Sequence, residues 1–593
     1  LFFPQKISKT HYFFYFCRNS KNLKNLINMK QIIECVPNFS EGRDMSIIKQ
    51  ITDVITAVDG VKLLDVDPGA ATNRTVVTFV GTPNEVLEAA FQAVKKASQI
   101  IDMSKHKGAH PRFGATDVCP LIPISNISME ETAELARKLA KRIGEELNIP
   151  VYCYENAAFT EKRRNLANCR SGEYEGLAKK ITSQEWKPDF GSNVWDAHTM
   201  RTGATAVGAR NFLVAYNINL NTTSVFKANS VAFDVREKGR VKREGHPVTG
   251  KPVLDKDGNK VYEPGLLKSV KAIGWYIEEY GVAQISMNLT DISVTPLHVA
   301  FDTVCERATA NGLRVTGSEL VGVMPLKAIL DAGKYFLKKQ GRSTGISDAE
   351  IIKIAVKSLG LDELKPFDPK KNIIEYMLED DNNKKLVDMN LVDFCHLAGS
   401  EAPAPGGGSV SAYIGALGAA LGTMVANLSA NKYRHDDQWE NFSDWADKGK
   451  AYHDELLKLV DEDTVAYSGI IESYGLPKGN DEEKALRSQA IQDATKYAIE
   501  VPFKIMKVCY NSMEVMLEMA KTGLEASVSD AAIGAIAART GVQGGFLNVK
   551  INAPSYKDKS FVDKVIAEGN EIERKAIALE KEIMEIALAK IEK

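Results

Sequence analysis

The residue types best suited to acid–base chemistry stand together in one short run, Ser104–Pro120, with the sequence SKHKGAHPRFGATDVCP. It holds His106 and His110, two of the nine histidines, together with basic side chains and Asp117. Glycines and Pro111 interrupt the run. Its sequence therefore predicts a loop and argues against a helix interior or a central strand. A titratable loop between regular elements suits proton transfer. A solvated basic turn is the alternative interpretation.

A second candidate group is an acid inside a helical pattern, LLKLVDEDTVAYSGII. Residues at 4-3-4-3 spacing form one predicted buried stripe that includes this acid: Leu456, Val460, Asp463, Tyr467 and Ile470. Asp461 and Glu462 point elsewhere. A carboxyl on an apolar seam is costly unless it is paired or used, and burial raises its pKa toward neutrality. The pattern therefore predicts an acid–base group, or alternatively a structural aspartate bonded to a neighbouring helix terminus.

Composition indicates a multidomain globular protein. The 593 residues exceed a single core and predict roughly three or four domains. Hydrophobic content of 44%, charged content of 26% and a net charge of −2 offer no argument for nucleic acid or an anionic membrane. The eight cysteines are scattered without a CxxC pair, which predicts neither a disulfide framework nor a zinc site and fits a reducing cytoplasm.

The elements that must position these residues alternate from Met29 onward. Their order begins βαββαβ, the split arrangement that predicts a mixed sheet covered by helices. A similar order returns with a strand at Phe212–Leu220, and a further strand is expected around Leu313–Gly317. The sequence therefore predicts two related α/β subdomains. A polar insertion at 240–262 carries an Asp257-Gly258 turn signal and predicts an exposed hairpin or lid.

Beyond a charged stretch at 379–385, EDDNNKK, the patterns are almost entirely helical. The run from 402 to 431 has no charge, so a transmembrane span must be weighed. Its Ala, Gly and Ser content favours a packed helix instead, with Gly415, Gly418 and Gly422 in close helix–helix contact.

The predicted fold class is multidomain, with two related α/β subdomains of mixed sheets and split βαβ type followed by an all-α helical bundle. The predicted segments are a disordered or non-native extension at 1–28, subdomains at 29–212 and 213–378, a linker at 379–385 and a helical domain at 386–593.

Several long motifs resemble the formimidoyltransferase-cyclodeaminase family: IIECVPNFSEGRD (32–44), LLDVDPGAATNRTVVTFVG (63–81), HKGAHPRFGATDVCP (106–120), AYNINL (215–220), VGVMPLKAIL (321–330) and APAPGGGSV (402–410). The resemblance covers essentially everything after Met29. It implies two formiminotransferase subdomains and a cyclodeaminase domain. It also implies an enzyme that moves a formimidoyl group from N-formimidoyl-L-glutamate to tetrahydrofolate. The enzyme then closes 5-formimidoyltetrahydrofolate to 5,10-methenyltetrahydrofolate with loss of ammonia, in histidine degradation.

The resemblance also implies roles for particular residues. It places the transferase base on His110 and the cyclodeaminase acid–base group on Asp463, the residue that the helical stripe also selects. Asp67 and Arg74 are expected to orient the substrate or hold its carboxylates.

Folate contacts are expected after the motif PDFG, where the implied residues are Gly191, Ser192, Asn193, Val194, Trp195, Asp196, Thr202, Gly203, Gly208 and Arg210. Gly406, Gly407 and Gly408 open a predicted helix, and their amides are expected to hold a folate carboxylate. Tight helix packing is the alternative role for these three glycines.

The implied acceptor is tetrahydrofolate, in polyglutamylated form, with no metal. The family resemblance further implies a homo-oligomer built as a ring of dimers. We expect a cytoplasmic protein without nucleic-acid binding or membrane insertion. Two alternatives stay open: a folate enzyme with one active half, and a non-catalytic folate-binding assembly protein. The presence of both His110 and Asp463 in their motifs argues against the second.

Overall fold

The computed structural model describes residues 31–69, 73–107, 112–245, 249–378, 385–436 and 438–593. The predicted extension at 1–28, His110 and most of the predicted linker lie outside these residues. The chain forms two compact units. The first contains the described residues up to Ala328 together with Gly360–Leu378, and the second contains Ile329–Leu359 and the described residues that follow the linker. The domain boundaries expected from the sequence stay predictions.

The first unit opens with a seven-stranded mixed sheet, as the βαββαβ order predicts. Its strands are β1 (Ile32–Cys35), β2 (Asn38–Phe39), β3 (Lys62–Gly69), β4 (Arg74–Gly81), β5 (Thr116–Ser125), β6 (Val151–Glu155) and β7 (Thr205–Ala209). The order is β1-β4-β2-β5-β7-β6, with β3 on β4. β7 runs parallel to β5 and β6, and the remaining pairs are antiparallel.

Three amphipathic helices cover this sheet: α1 (Met45–Thr56), α2 (Pro83–Ile100) and α3 (Met129–Leu147). Local signals start each of them. Asp44 caps α1, Pro83 stands in the first turn of α2, and Ser128 caps α3. Buried faces of all three helices join strand residues in one apolar core. The predicted mixed sheet covered by helices is thus confirmed.

Four short helices follow β6 and were not expected from the sequence: α4 (Glu161–Arg164), α5 (Leu166–Arg170), α6 (Glu173–Thr182) and α7 (Ala197–Thr202). Helices this short are marginal in isolation and leave little periodicity in a sequence. Packing and capping hold them. Asn165 caps α5, and Asp196 forms a capping box with Thr199 at the start of α7.

The second sheet has the order β13-β14-β8-β15, built from β8 (Val214–Leu220), β13 (Val270–Ile277), β14 (Val282–Leu289) and β15 (Val315–Val321). α8 (Val225–Val235) and α9 (Leu297–Ala310) accompany it. β15 begins later than the strand expected around Leu313, because Gly312 has a positive φ and forms a turn before it.

The polar insertion forms two small antiparallel ribbons, β9 (Arg240–Val241) with β12 (Tyr262–Glu263) and β10 (Arg243–Glu244) with β11 (Lys251–Pro252). At the tip, Asp255 accepts the backbone N–H groups of Asp257 and Asn259, and Gly258 has a positive φ. The predicted hairpin is therefore present.

The remaining elements are helical: α10 (Leu326–Lys339), α11 (Asp348–Leu359), α12 (Pro369–Asn372), α13 (Ile374–Met377), α14 (Leu391–Ala398), α15 (Gly407–Lys432), α16 (Gln438–Tyr474), α17 (Asp481–Thr522), α18 (Val528–Asn552) and α19 (Lys559–Ile591). Short 3₁₀ turns at Leu386–Asp388, Glu525–Ser527 and Ala553–Ser555 complete them. The five long helices α15–α19 share one apolar core, which confirms the predicted all-α part of the fold.

The glycines of α15 allow neighbouring helices to approach closely, as their spacing predicts. A Cβ on Gly418 would stand 2.7 Å from the backbone oxygen of Gly534 in α18. By length and composition α15 is the one described helix able to cross a membrane, and most of its apolar window is buried inside the helical unit. Core helices of bundles have the same properties, so this length and composition do not indicate a membrane span.

The Gly418 contact leads to a stability prediction. Gly418→Val should lower the free energy of unfolding of the helical unit by about 3 kcal/mol, because the new side chain overpacks the α15–α18 contact. Urea unfolding followed by circular dichroism would measure the loss. Leu547→Val alters a residue of α18 that is 61% exposed, and serves as the control with little expected change. Equal stability of both variants would contradict this account of the helix crossing.

Candidate active sites

Asp463 lies in the middle of α16, beside the N-terminus of α15. The hydroxyl of Ser409 donates to Oδ2 of Asp463 at 3.1 Å and stands 3.2 Å from the hydroxyl oxygen of Thr464. Burial raises the pKa of Asp463, while hydrogen bonds from the side chain and backbone of Ser409 lower it. The carboxyl is therefore available for proton transfer and is held by the start of a helix, where negative charge is favoured. The sequence offered two interpretations of Asp463, an acid–base group and a structural aspartate bonded to a helix terminus. These contacts are compatible with both.

The three glycines that open α15 have different surroundings. A Cβ on Gly408 would overlap the carboxylate of Asp463, so a side chain is excluded there. Gly407 faces the amide of Asn548, 3.3 Å from the position of an added Cβ, whereas Gly406 faces open space. Tight packing is thus the role of Gly408. Anion binding by the amides of Gly406 and Gly407 stays a prediction.

The buried face of α16 differs in one respect from the predicted stripe. Leu456 and Val460 are buried as expected and Asp463 is half-buried, but Tyr467 is 46% exposed. Ala466 and Gly469 are buried instead. After Asp463, a helical face can continue either three residues on, at Ala466, or four residues on, at Tyr467. In the structure, the face that contains Ala466 is the one that packs into the core. The prediction for Tyr467 was therefore wrong.

The acids beside Asp463 point elsewhere, as predicted. Asp461 accepts the backbone N–H of Leu386 at 2.6 Å, and Glu462 accepts the hydroxyl of Tyr497 at 2.8 Å. Their separate partners leave Asp463 as the acid that faces the start of α15.

In the first unit, His110 lies outside the described residues, but both flanks of its loop are anchored. His106 is buried, and its Nε2 stands 2.8 Å from the backbone oxygen of Asn73. The amide of Asn73 donates to the backbone oxygen of Lys107 at 3.0 Å. After the loop, Arg112 donates from Nε to Glu175 at 2.9 Å and lies over the ring of Tyr174. These contacts fix the two ends of the loop that carries the candidate base.

A cluster of charged side chains is formed by residues that lie near these anchors in the sequence. Oδ2 of Asp117 stands 3.4 Å from Nη1 of Arg74 and 3.0 Å from Nη2 of Arg170. Burial raises the pKa of Asp117, and Arg170 and Arg74 lower it. Arg74 also donates from Nε to Asn38 at 2.7 Å. The structure thus places the predicted Arg74 in a preorganised ion cluster.

Asp67 is exposed on β3 opposite Val76 and shares a sheet face with Arg74, two residues from Val76 on β4. Sequence reasoning assigned no role to Arg170. Arg170 is the last residue of α5, a helix that the sequence did not predict. The surrounding sequence, LANCRSGEY, contains no motif that would have indicated a role for this arginine.

The predicted folate loop is ordered by its own turns and by the flanks of the histidine loop. Gly191 has a positive φ, the hydroxyl of Ser192 accepts the N–H of Val194 at 3.1 Å, and Asn193 and Val194 are exposed. The ring of Trp195 lies 5.7 Å from that of Tyr174.

At the end of this loop, the backbone oxygen of Thr202 accepts the N–H of Ala115 at 2.7 Å, and Gly203 forms a β-bridge with Gly114. The structure therefore brings Thr202 and Gly203 to the histidine loop. Ser192 and Val194 bond each other, and the backbone oxygen of Val194 also accepts the hydroxyl of Thr199 in α7 at 2.9 Å.

The last two predicted folate residues lie on or just after β7. Gly208 packs so closely against the ring of Tyr154 that a Cβ would collide with it. Glu34 is a buried acid whose pKa is raised to about 7, because burial raises it more than Arg210 lowers it. Sequence reasoning missed Glu34, although an acid between Ile33 and Cys35 in a buried strand was a usable signal.

Comparison with known proteins decides the family. The profile described as "Formiminotransferase domain, N-terminal subdomain" matches residues 32–210, "Formiminotransferase domain" matches 215–379, and "Formiminotransferase-cyclodeaminase" matches 390–571. Formimidoyltransferase-cyclodeaminase of Mus musculus is 42% identical over 537 residues, which cover 90% of this chain and 95% of that protein. The chain belongs to the formimidoyltransferase-cyclodeaminase family.

Two shorter relatives each resemble part of the chain. Glutamate formimidoyltransferase of Thermoplasma acidophilum is 40% identical over 53% of this chain and 95% of its own length. Methenyltetrahydrofolate cyclohydrolase of Methylorubrum extorquens is 33% identical over 32% of this chain and 92% of its own length. In the part of this family member that the structure describes, no group of three His, Cys, Asp or Glu side chains has metal-binding geometry.

The raised pKa of Asp463 leads to a test that needs no substrate. The neutral carboxyl stabilises the fold at low pH, and that contribution is lost as the pH rises through the folded-state pKa. Asp463→Asn stays neutral, so its stability relative to the wild type should increase as the pH rises above about 4, the ordinary pKa of an aspartate in the unfolded chain. Urea unfolding at several pH values would measure this, with exposed Glu472→Gln as the control. A relative stability of Asp463→Asn that falls with pH would contradict the burial effect.

Proposed function

We propose that this chain catalyses two consecutive reactions on folate. The first transfers the formimidoyl group from N-formimidoyl-L-glutamate to tetrahydrofolate, and the second cyclises 5-formimidoyltetrahydrofolate to 5,10-methenyltetrahydrofolate with release of ammonia. The observation that carries the proposal is Asp463, a half-buried carboxyl held at a helix start. It stands in a chain that covers 95% of a bifunctional relative.

The transfer step needs a base and a carboxylate-binding cluster. N5 of tetrahydrofolate adds to the formimidoyl carbon, and His110 accepts the proton that N5 loses. The same imidazole returns that proton to the glutamate nitrogen as the C–N bond breaks. Arg74 holds a carboxylate of the substrate, and Asp67 orients the formimidoyl group. The loop from Gly191 to Gly203 contacts folate.

The cyclisation step needs one carboxyl that both accepts and donates a proton. N10 adds to the carbon of the protonated formimidoyl group, forming the N10–C bond, and the carboxylate of Asp463 accepts the N10 proton. Asp463 returns this proton to the amino nitrogen, the C–N bond breaks, and ammonia leaves. A raised pKa suits this relay, and Ser409 orients the carboxyl.

The alternatives account less well for these features. A non-catalytic folate-binding protein would not need a half-buried carboxyl with a raised pKa against a helix start. An enzyme with one active half would not need both the anchored histidine loop and the Asp463 site. The relative named methenyltetrahydrofolate cyclohydrolase supports a folate substrate for part of the chain.

The finer features of the substrates and the setting belong to the same proposal. The acceptor is polyglutamylated tetrahydrofolate, no metal takes part, and the enzyme acts in the cytoplasm without nucleic acid or membrane insertion. Free cysteines among the described residues agree with a reducing compartment.

The protein assembles as a homo-oligomer, a ring of dimers. One contact patch lies on the helical unit, where α15 and α18 pack together and expose Leu417, Met424, Leu428, Ile533 and Ile536. Apolar side chains clustered on two adjacent helices are typical of a subunit contact.

Light scattering on the full chain tests this assembly. The wild type should be larger than a monomer. Leu428→Glu should reduce the assembly, because it places a charge in the apolar patch. Ile591→Glu, at an exposed residue near the end of α19, is the control and should not change the assembly. A monodisperse wild-type monomer with both activities would reject the oligomer.

The division of labour between the two sites gives the central prediction. His110→Ala should lower formimidoyl transfer by about 10²–10⁴-fold, while supplied 5-formimidoyltetrahydrofolate still cyclises. Asp463→Asn should do the reverse, because it keeps the shape of the side chain and removes its proton chemistry. Separate assays of glutamate release and of ammonia release measure the two reactions.

A glycine pair provides a matched control for the Asp463 site. Gly408→Ala should lower ammonia release because the added Cβ displaces the Asp463 carboxylate, whereas Gly406→Ala, which faces open space, should not. Transfer should stay unchanged in both variants. Loss of both reactions in a folded, assembled His110→Ala or Asp463→Asn variant would contradict the assignment of one reaction to each site.

A further inference from the structure

Two hydroxyl side chains form a hydrogen-bonded chain that ends on Asp463. The hydroxyl of Ser409 stands 3.1 Å from Oδ2 of Asp463, and the hydroxyl of Thr464 stands 3.2 Å from that of Ser409. Ser409 lies in the first turn of α15 and is fully buried, whereas Asp463 and Thr464 are adjacent, half-buried residues of α16. The chain therefore connects two helices at the position of the candidate cyclodeaminase acid.

The bond between Thr464 and Ser409 differs from those of other hydroxyls in the helical unit. A serine or threonine inside a helix commonly donates its hydroxyl hydrogen to the carbonyl oxygen four residues earlier. Hydroxyls of the long helices that do so are those of Ser411, Thr423, Ser429, Ser473, Thr495 and Thr540. The described bond of the Thr464 hydroxyl goes to Ser409 in another helix. This geometry directs Thr464 toward the site of Asp463.

The charge of Asp463 fixes the direction of the hydrogen-bonded chain. An ionised carboxylate only accepts hydrogen bonds, so the single hydroxyl hydrogen of Ser409 points to Oδ2. The oxygen of Ser409 then offers only lone pairs to Thr464, and the hydrogen between the two hydroxyls belongs to Thr464. A donor on its oxygen polarises the Ser409 hydroxyl and strengthens the bond to the carboxylate. Thr464 thus acts on Asp463 through Ser409.

We propose that Thr464 is a positioning residue of the cyclisation site, where its hydroxyl directs the hydrogen of Ser409 to the carboxylate of Asp463. The inference rests on the proposed cyclisation and adds a residue that controls its acid–base group. It adds no covalent step, because the same proton moves from N10 to Asp463 and from Asp463 to the amino nitrogen.

The relay needs an acid that accepts a proton and then gives it up. Burial raises the pKa of Asp463, and bonds from the side chain and backbone of Ser409 lower it. Burial alone would favour the neutral carboxyl and oppose the return of the proton to the leaving amino group. The bond from Ser409 offsets part of this effect, and Thr464 keeps that bond in place.

The groups around Asp463 leave this adjustment to the start of α15. The two acids beside it on α16, Asp461 and Glu462, bond other residues. The turn of α15 that faces it, 406–410, carries no charged side chain, and Asn548 of α18, which lies against the same turn, is neutral. Hydrogen bonds from the start of α15 are therefore the polar contacts that offset the burial of this carboxyl.

The first test follows the cyclisation of supplied 5-formimidoyltetrahydrofolate by the full chain as a function of pH. Thr464→Val keeps the shape of the side chain and removes its hydroxyl. The acid limb of kcat/KM should move upward by about 0.5–1 pH unit, the loss expected for one neutral hydrogen bond. Above this limb the variant should approach the wild-type rate, because Asp463 is then ionised in both proteins. A lower rate at every pH with an unmoved limb would assign Thr464 a structural role and overturn the proposal.

Two further variants separate the hydroxyl from packing. Thr464→Ser keeps the hydroxyl and loses the methyl group, so its acid limb should match that of the wild type. Thr423→Val removes a buried hydroxyl of α15 that bonds Ala419 of its own helix, and should change neither the limb nor the transfer reaction. A limb that moves in Thr464→Ser but not in Thr464→Val would attribute the effect to packing and overturn the proposal.

A double variant tests whether Thr464 acts through Ser409. Ser409→Ala should move the acid limb upward by about 1–2 pH units, because it removes a hydrogen bond to a charged group. Ser409→Ala with Thr464→Val should move the limb no further than Ser409→Ala alone. Additive shifts would show that Thr464 acts on Asp463 by another route, and would overturn the proposal.

Infrared difference spectroscopy without substrate separates this inference from the proposed reaction. The protonated carboxyl of Asp463 contributes a C=O band that is absent from Asp463→Asn, and the loss of this band with rising pH reports the titration of that one group. Wild type that does not cyclise the folate, with a band that titrates at higher pH in Thr464→Val, would reject the reaction and keep the inference. Wild type that cyclises the folate, with a band that titrates identically in both proteins, would keep the reaction and overturn the inference.

Discussion

The contact between Asp463 and the first turn of α15 is the constraint on which the helical unit depends. The carboxylate occupies the space that a side chain at position 408 would fill, and Ser409 binds it from both backbone and hydroxyl. Burial favours the neutral carboxyl, whereas these donors favour the charged one. Burial has the larger effect, so the pKa of Asp463 is raised, which suits a group that accepts a proton and then donates it. Accordingly, the helix start acts as part of the candidate site and not only as a packing element.

The first unit meets the same problem with a different device. Asp117 is enclosed, and two arginines approach it from separate segments, so its burial is offset by ion pairs instead of helix-terminal amides. Around this cluster, Asn73 connects the histidine loop to the start of β4, and the Gly114–Gly203 bridge connects it to the predicted folate loop. The candidate base thus lies in a loop whose two ends are fixed by rigid strands and short helices.

Both sites therefore rest on charged groups that destabilise the fold unless their partners are in place. Lys180 extends this pattern to a helix that would not form alone, since its ammonium group supplies donors to the carbonyls at the end of α5. Burying such charged groups costs stability, and the apolar cores of the two units supply the burial that compensates for this cost. In each unit, the charged groups therefore serve the candidate site and the apolar core stabilises the fold.

Local periodicity in the sequence determined the order of the long helices and strands and the placement of Asp463 on a buried seam, and a turn signal in a polar insertion determined the exposed hairpin. Helices and strands bury one face, so apolar residues recur at regular intervals along each element. This recurrence can be recognised within a single segment of the sequence. Family motifs further selected Arg74 and Gly406–Gly408 as candidate site residues. Only the tertiary structure brought Arg74, Asp117 and Arg170 together, formed α5, and showed that Gly408 makes room for Asp463. Contacts between distant segments leave no repeat in the sequence. A buried charged residue and the exposed Tyr467 both depart from the apolar pattern by which a core is predicted.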